Sequence, residues 1–176
     1  MRIVVLNGSP RANGNTEILS AEFIKGAIEA GHEAELINLR GKKVSGCLGC
    51  KYCHDHDGEC VQKDDMKSIL ASLNQADMVV FASPIYWFDI TAQLKAVIDR
   101  MYANGKIGFH FTKTALILDS GADHVYDAAI SQYKSMTGYL GWQDMGIITA
   151  PNLADKGAVK DTPAMGEAYK LGISLG

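Results

Sequence analysis

The chain has 176 residues, 47% of them hydrophobic and 21% charged, the balance of a folded globular protein and not of a disordered one. Seventeen Lys and Arg against 20 Asp and Glu give a net charge of −3, without the basic footprint of a nucleic-acid binder, and no apolar run approaches the ~20 residues of a membrane span. Residues 1–6 are too short an apolar stretch for a signal peptide, so a cytoplasmic protein with reduced thiols is expected.

The length suits a single domain over residues 1–176, interrupted by a cysteine-rich loop at 45–62. Residues 3–6 form a continuous apolar run, the mark of a strand buried on both faces. A polar turn, 7–14, follows. From Thr16 the apolar period changes: Leu19, Phe23 and Ala27 predict a helix ending near Gly31. Residues 34–39 read as a second strand. Asp64 is placed to cap a helix through Leu73. Residues 78–82 predict the third strand, and Leu94, Val97, Ile98 and Met101 stripe the helix after it. Residues 115–118 and 147–150 predict the fourth and fifth strands, separated by a helix carrying Val125, Ala129, Tyr133 and Met136. Pro163 opens a last helix.

Five strands alternating with helices imply an α/β fold, a parallel sheet covered on both faces in a three-layer α/β/α sandwich. Right-handed crossovers restrict the topology, and the flavodoxin-like order 2-1-3-4-5 is expected. In that order the loops after Leu6, Ala82 and Leu118 meet at one crevice, where ligands of open α/β sheets bind.

The first of these loops, Asn7-Gly8-Ser9-Pro10-Arg11-Ala12-Asn13-Gly14-Asn15-Thr16, leads from a buried strand into a helix N-terminus. Free first-turn amides, short polar side chains and the Arg11 guanidinium suit a phosphate. The bland alternative is a Ser/Asn-rich turn with a helix cap. The segment is neither a Walker loop nor a G-x-G-x-x-G fingerprint. Ser83-Pro84-Ile85-Tyr86-Trp87-Phe88, after the third strand, offers a surface for a flat apolar ligand, or else a core or interface plug. Asp119-Ser120-Gly121-Ala122 is small enough for close backbone approach. A phosphate site beside an aromatic slot suggests a mononucleotide with a planar ring, and FMN fits both halves.

Together with Gln93-Leu94-Lys95-Ala96-Val97-Ile98-Asp99-Arg100, Lys63-Asp64-Asp65-Met66 and Ala168-Tyr169-Lys170-Leu171-Gly172, these loops resemble the NADPH-dependent FMN reductase family of the flavodoxin-like fold. The resemblance covers nearly the whole chain. It implies that Ser9, Arg11, Asn15 and Thr16 hold the FMN phosphate, that Pro84, Ile85, Tyr86, Trp87 and Phe88 contact the isoalloxazine, and that Ser120 and Gly121 close its far side.

Cys47, Cys50, Cys53 and Cys60 form a dense thiol array. Local C-x2-C-x2-C runs suit a [4Fe–4S] cluster, and the array also resembles the compact motif of iron–sulfur flavoproteins, a branch of the same family. Free thiols, a redox disulfide, or Zn²⁺ shared with the neighbouring His54 and His56 are the alternatives. His32 reads as a solvated helix cap, His110 and His124 as loop histidines near the crevice, and Tyr126, Tyr133, Tyr139 and Tyr169 as core or interface residues. No catalytic side-chain constellation is visible, as expected where the cofactor carries the chemistry.

The resulting expectation is an FMN-dependent oxidoreductase with NAD(P)H as co-substrate and a small-molecule electron acceptor of flavin or quinone type. The alternative is a non-enzymatic iron–sulfur flavoprotein carrier serving a ferredoxin-like protein. Exposed apolar residues near the crevice, with the resemblance, imply a homo-oligomer, a dimer or tetramer.

Overall fold

The N-terminal apolar run is a strand, β1 (Arg2–Asn7), lying inside a sheet with β2 (Glu33–Asn38), β3 (Met78–Pro84), β4 (Lys113–Asp119) and β5 (Gln143–Ala150). The computed structural model describes all residues, 1–176. Every strand pair is parallel, and the order is β2-β1-β3-β4-β5, the flavodoxin-like order expected. The connecting helices are α1 (Asn15–Glu29), α2 (Met66–Leu73), α3 (Ala92–Arg100), α4 (Asp127–Leu140) and α5 (Pro163–Ile173).

Strand periodicity explains the two cores. Ile3 and Val5 point to one face, where they pack with Leu19, Phe23 and Ala27 of α1 and Ala164 and Ala168 of α5. Val4 and Leu6 point to the other, against Ile69 and Leu73 of α2, Leu94 and Val97 of α3, and Ala129 and Tyr133 of α4. A strand covered on both sides has no position for a polar residue, hence the unbroken apolar run. On the first face α1 and α5 cross closely. A Cβ at Gly26 would overlap the Tyr169 carbonyl, and one at Gly172 would overlap the Phe23 carbonyl. Both glycines permit backbone-to-backbone approach.

Some expectations change at the ends of elements. β5 begins four residues before the apolar run at 147–150, where Gln143, Asp144 and Gly146 interrupt the apolar pattern. Asp144 accepts from the Tyr133 hydroxyl (2.8 Å) and from the Gly146 amide (3.0 Å), and the register with β4 shifts between Thr114 and Leu116. His110 does not lie near the crevice. It precedes β4, at the opposite edge of the sheet, with Nδ1 2.8 Å from the Ala76 carbonyl. His32 is half-buried rather than solvated; its Nδ1 meets the N-terminal amine at 3.3 Å, and its Nε2 is buried without a partner. Tyr126 and Tyr133 are core, whereas Tyr139 is 90% exposed.

Candidate functional site: the cleft at the ends of β1, β3 and β4

The loop after β1 is built from side chain to backbone bonds. Asn7 is buried; its Nδ2 donates to Asn38 Oδ1 (2.7 Å) and its Oδ1 accepts from the Ser9 amide (3.0 Å). That bond turns the chain immediately after the strand. The Gly8 amide donates to the Ala82 carbonyl of β3 at 2.8 Å. The Gly8 carbonyl accepts from the Thr91 hydroxyl at 2.9 Å, and Thr91 also caps α3. A Cβ on Gly8 would stand 2.7 Å from Thr91 Oγ1, so the contact between the first and third loops requires glycine. Ser9 Oγ accepts from the Arg11 amide at 3.3 Å. Gly14 then enters α1 in extended conformation, and no side chain caps the helix. Its first-turn amides therefore keep their partial positive charge for a ligand.

The loops after β3 and β4 are locked to one another. The Ile85 amide donates to the Asp119 carbonyl at 2.8 Å. Beyond it Tyr86 and Asp89 bridge across a two-residue turn, with Trp87 and Phe88 both left-handed (φ 52° and 68°). Two positive φ values at the centre of a tight turn define type I′, which favours Asn-Gly. Two bulky aromatics there store strain, and Trp87 is 93% exposed. The Ser120 amide donates to Ala150 of β5 (3.0 Å), and the Leu153 amide to the Ser120 carbonyl (2.8 Å), drawing in a fourth segment after β5.

These segments enclose a cleft of ≈130 Å³ lined by Ser9, Arg11, Gly14, Asn15, Pro84, Ile85, Tyr86, Asp119, Ser120, Gly121, Leu153, Ala154 and Lys156. The cleft is below the ~300 Å³ of a typical small-molecule pocket. Of the eleven residues expected around a cofactor, eight line the cleft. Thr16, Trp87 and Phe88 do not. The Thr16 hydroxyl donates to Asp119 Oδ1, leaving the Thr16 amide for a ligand, and the two aromatics stand outside on the exposed turn.

Asn15 has a second task. Its Nδ2 donates to the Asp155 carbonyl (3.0 Å) and its Oδ1 accepts from the Gly157 amide (2.8 Å), so its carboxamide anchors the loop after β5 and only its amide remains free. Asp119, Leu153, Ala154 and Lys156 were not singled out by sequence reasoning. The position of Asp119 at a strand's C-terminal end was a readable signal; the other three depend on the Asn15 anchor. Burial pushes the Asp119 carboxyl up to about 6, against the lowering effects of the Thr16 hydroxyl and of Arg11.

The cysteine loop is a separate place. All four cysteines are free thiols; Cys47 and Cys50 are exposed and Cys53 is buried. They border one small hollow together with Arg100. Burial, reinforced by the neighbouring Cys60, Cys47 and Cys50, raises the Cys53 thiol. No three His, Cys, Asp or Glu side chains converge on a metal position. The donor set therefore matches a cluster in number and chemistry, without a ligand shell already assembled. The histidines stand apart: His56 stacks on Tyr52 (3.6 Å between ring centroids) and His54 on Tyr102 (4.7 Å).

A parallel sheet in this order, with an uncapped helix N-terminus and a guanidinium at its switch point, defines a flavodoxin-like α/β protein with a cleft suited to an anionic ligand. The chain belongs to the NADPH-dependent FMN reductase family, which it matches over residues 1–153. It is 38% identical over 100 residues to an iron-sulfur flavoprotein of Methanocaldococcus jannaschii, covering 57% of this chain and 51% of that one. It is 34% identical over 140 residues to an iron-sulfur flavoprotein of Archaeoglobus fulgidus, covering 80% of this chain and 60% of that one. The chain thus spans only about half to three-fifths of the length of these relatives. Among solved structures it superposes on an NAD(P)H:quinone oxidoreductase of Methanothermobacter marburgensis with a TM-score of 0.76, at 18% identity and over 99% of this chain and 96% of that one, a likeness of fold. No helix is long and apolar enough to cross a membrane.

Proposed function

We propose that the protein is an FMN-dependent NAD(P)H oxidoreductase that passes electrons to a small flavin- or quinone-type acceptor. The observation that carries this is the cleft itself: the free amides opening α1 stand beside Arg11 at the junction of β1, β3 and β4, with Tyr86 at the rim. Bound FMN would supply the hydride and electron chemistry. The chain's own contributions are binding and orientation. The Ser9 hydroxyl, Arg11 and the amides of Asn15 and Thr16 would hold the phosphate; Pro84, Ile85 and Tyr86 would contact the ring, and Ser120 and Gly121 would close its far side. Trp87 and Phe88, on the exposed turn, would reach the ring from outside the cleft. No side chain is required as acid or base.

The test is direct. Protein as isolated should be yellow and release FMN on denaturation, and it should oxidise NADH or NADPH in the presence of a quinone faster than free FMN does. Colourless protein that binds no added FMN defeats the reading.

A second element of the reading is a [4Fe–4S] cluster on Cys47, Cys50, Cys53 and Cys60. It is supported by the four thiols bordering one hollow beside a buried guanidinium and by the naming of relatives as iron-sulfur flavoproteins. Because Cys47 and Cys50 face solvent, the loop must fold inward around the cluster. Anaerobic protein should absorb near about 400 nm and carry stoichiometric iron and sulfide; iron-free protein that resists reconstitution refutes it. With a cluster present, rapid reduction by ferredoxin and no NAD(P)H turnover would select the carrier role. A cytoplasmic homo-oligomer, a dimer or tetramer, completes the reading. The exposed Trp87 and Phe88 beside the cleft support association, and a monomer by light scattering would contradict it.

A further inference from the structure

One group in the cleft is out of keeping with an anion site. Asp119 ends β4 and is only 6% exposed, yet it lines the same hollow as Ser9, Arg11 and Gly14. An ionised carboxylate there repels a phosphate; a protonated one does not. Its bond within the protein comes from the Thr16 hydroxyl, in the first turn of α1.

The charged and titratable groups around it come from several elements. Arg11, on the loop after β1, attracts its charge. Lys156, after β5, and Tyr86, after β3, line the same cleft. Tyr126, just before α4, is raised chiefly by burial and further by Asp119 and Asp123, so it stays neutral near pH 7. Glu17, next to Thr16, is committed to Arg40 at 2.7 Å. Two cations thus border a buried carboxylate whose bonded partner belongs to the helix that would receive the phosphate.

We propose that Asp119 makes the choice of flavin proton-linked: with a proton on its carboxyl the cleft holds phosphorylated flavin firmly, and without it the preference for FMN over riboflavin collapses. This rests on the FMN reading above and adds to it a specificity-determining residue. By linkage, binding of FMN takes up a proton from solvent, and binding of riboflavin does not. The position of Asp119 near 6, set by burial against Thr16 and Arg11, places the change within the physiological range. The sign follows: the preference is full below that value and is lost as pH rises through it.

The test is fluorescence-quench titration of the full chain, stripped of flavin, with FMN and with riboflavin between pH 5 and 8.5, in wild type, Asp119→Asn and Thr16→Val. In wild type the preference for FMN should fall at least about tenfold relative to Asp119→Asn across that range, the effect of one pKa unit of differential interaction. In Asp119→Asn the preference should stay level or rise, since the phosphate's own second ionisation near ~6 makes it more anionic. Thr16→Val removes a bond that favours the carboxylate and should move the wild-type midpoint to higher pH. Parallel curves for wild type and Asp119→Asn, with FMN bound by both, would overturn the inference and leave the FMN reading intact. If Asp119→Asn fails to fold, an unmoved midpoint in Thr16→Val overturns it equally. Failure of wild type to bind either flavin overturns the FMN reading and this inference with it.

Discussion

Arg100 at the end of α3 should be the main tie between the cysteine loop and the body of the domain, and Arg100→Met should expose its worth. The guanidinium is 1% exposed and bonds Asp64 at 2.9 and 3.1 Å and the Ser45 carbonyl at 3.0 Å. Asp64 accepts in turn from the amides of Ser45 and Met66, both at 3.1 Å. One side chain therefore joins the start of the cysteine loop, the entry to α2 and the end of α3. Breaking a buried pair from one side costs about 3–5 kcal/mol. Asp64 is 13% exposed and keeps two amide donors, which argues for the lower end, about 3 kcal/mol. In a domain of this size each kcal/mol moves Tm by about 2–4 °C, so the expected loss is about 6–12 °C. Thermal and urea unfolding followed by circular dichroism measure it, and a cycle with Asp64→Asn should return a coupling above about 1 kcal/mol. Burial raises the Asp64 carboxyl, and Arg100 with the two amides more than reverses that, holding it below its usual value. The pair's contribution is therefore present above the unfolded carboxyl value near ~3.9 and disappears as pH falls through the lower folded value. Wild type should lose stability on that acid limb and Arg100→Met should lose less. A Tm for Arg100→Met within about 2 °C of wild type, under 1 kcal/mol, would refute this account of the loop's anchor.

Three further variants test the framework of the cleft. Gly8→Ala places a methyl 2.7 Å from Thr91 Oγ1 and 2.8 Å from Leu94 Cβ, and should cost about 1–3 kcal/mol by overpacking while weakening FMN binding in equilibrium titration. Trp87→Asn with Phe88→Gly suits the left-handed turn (φ 52° and 68°) and should stabilise by about 1 kcal/mol; an unchanged Tm would show that the turn holds no strain. Arg11→Ala removes an exposed side chain and should weaken FMN at least about tenfold, the loss of one charge-assisted bond, while riboflavin affinity and Tm stay put.

What the sequence made legible was governed by local periodicity. The runs at 3–6 and 78–82 announce strands covered on both faces, as their membership of the two cores shows, and the pairing of these interior strands with β4 brings three loops together. The switch-point rule then carries the reading from letters to a cleft, and Ser9, Arg11, Pro84, Ser120 and Gly121 arrive there because they lie at or just beyond the C-terminal ends of strands. What stayed hidden is carried by contacts between residues far apart in the chain. Asn15 has the composition of a phosphate ligand, but its carboxamide is spent on a loop 140 positions away. Thr16 likewise bonds Asp119 across 103 positions, which turns an ordinary strand-end aspartate into a buried group lining the cleft. Trp87 and Phe88 are exposed, in keeping with the apolar surface expected beside the crevice, but the bridge between Tyr86 and Asp89 holds both on a turn outside the cleft lining, which their residue types alone do not show. In each case the residue type was read correctly and the partner decided its role, so the cysteine loop, whose four thiols share a hollow without converging on a metal position, is the part of the molecule where a bound group would change the side-chain arrangement most.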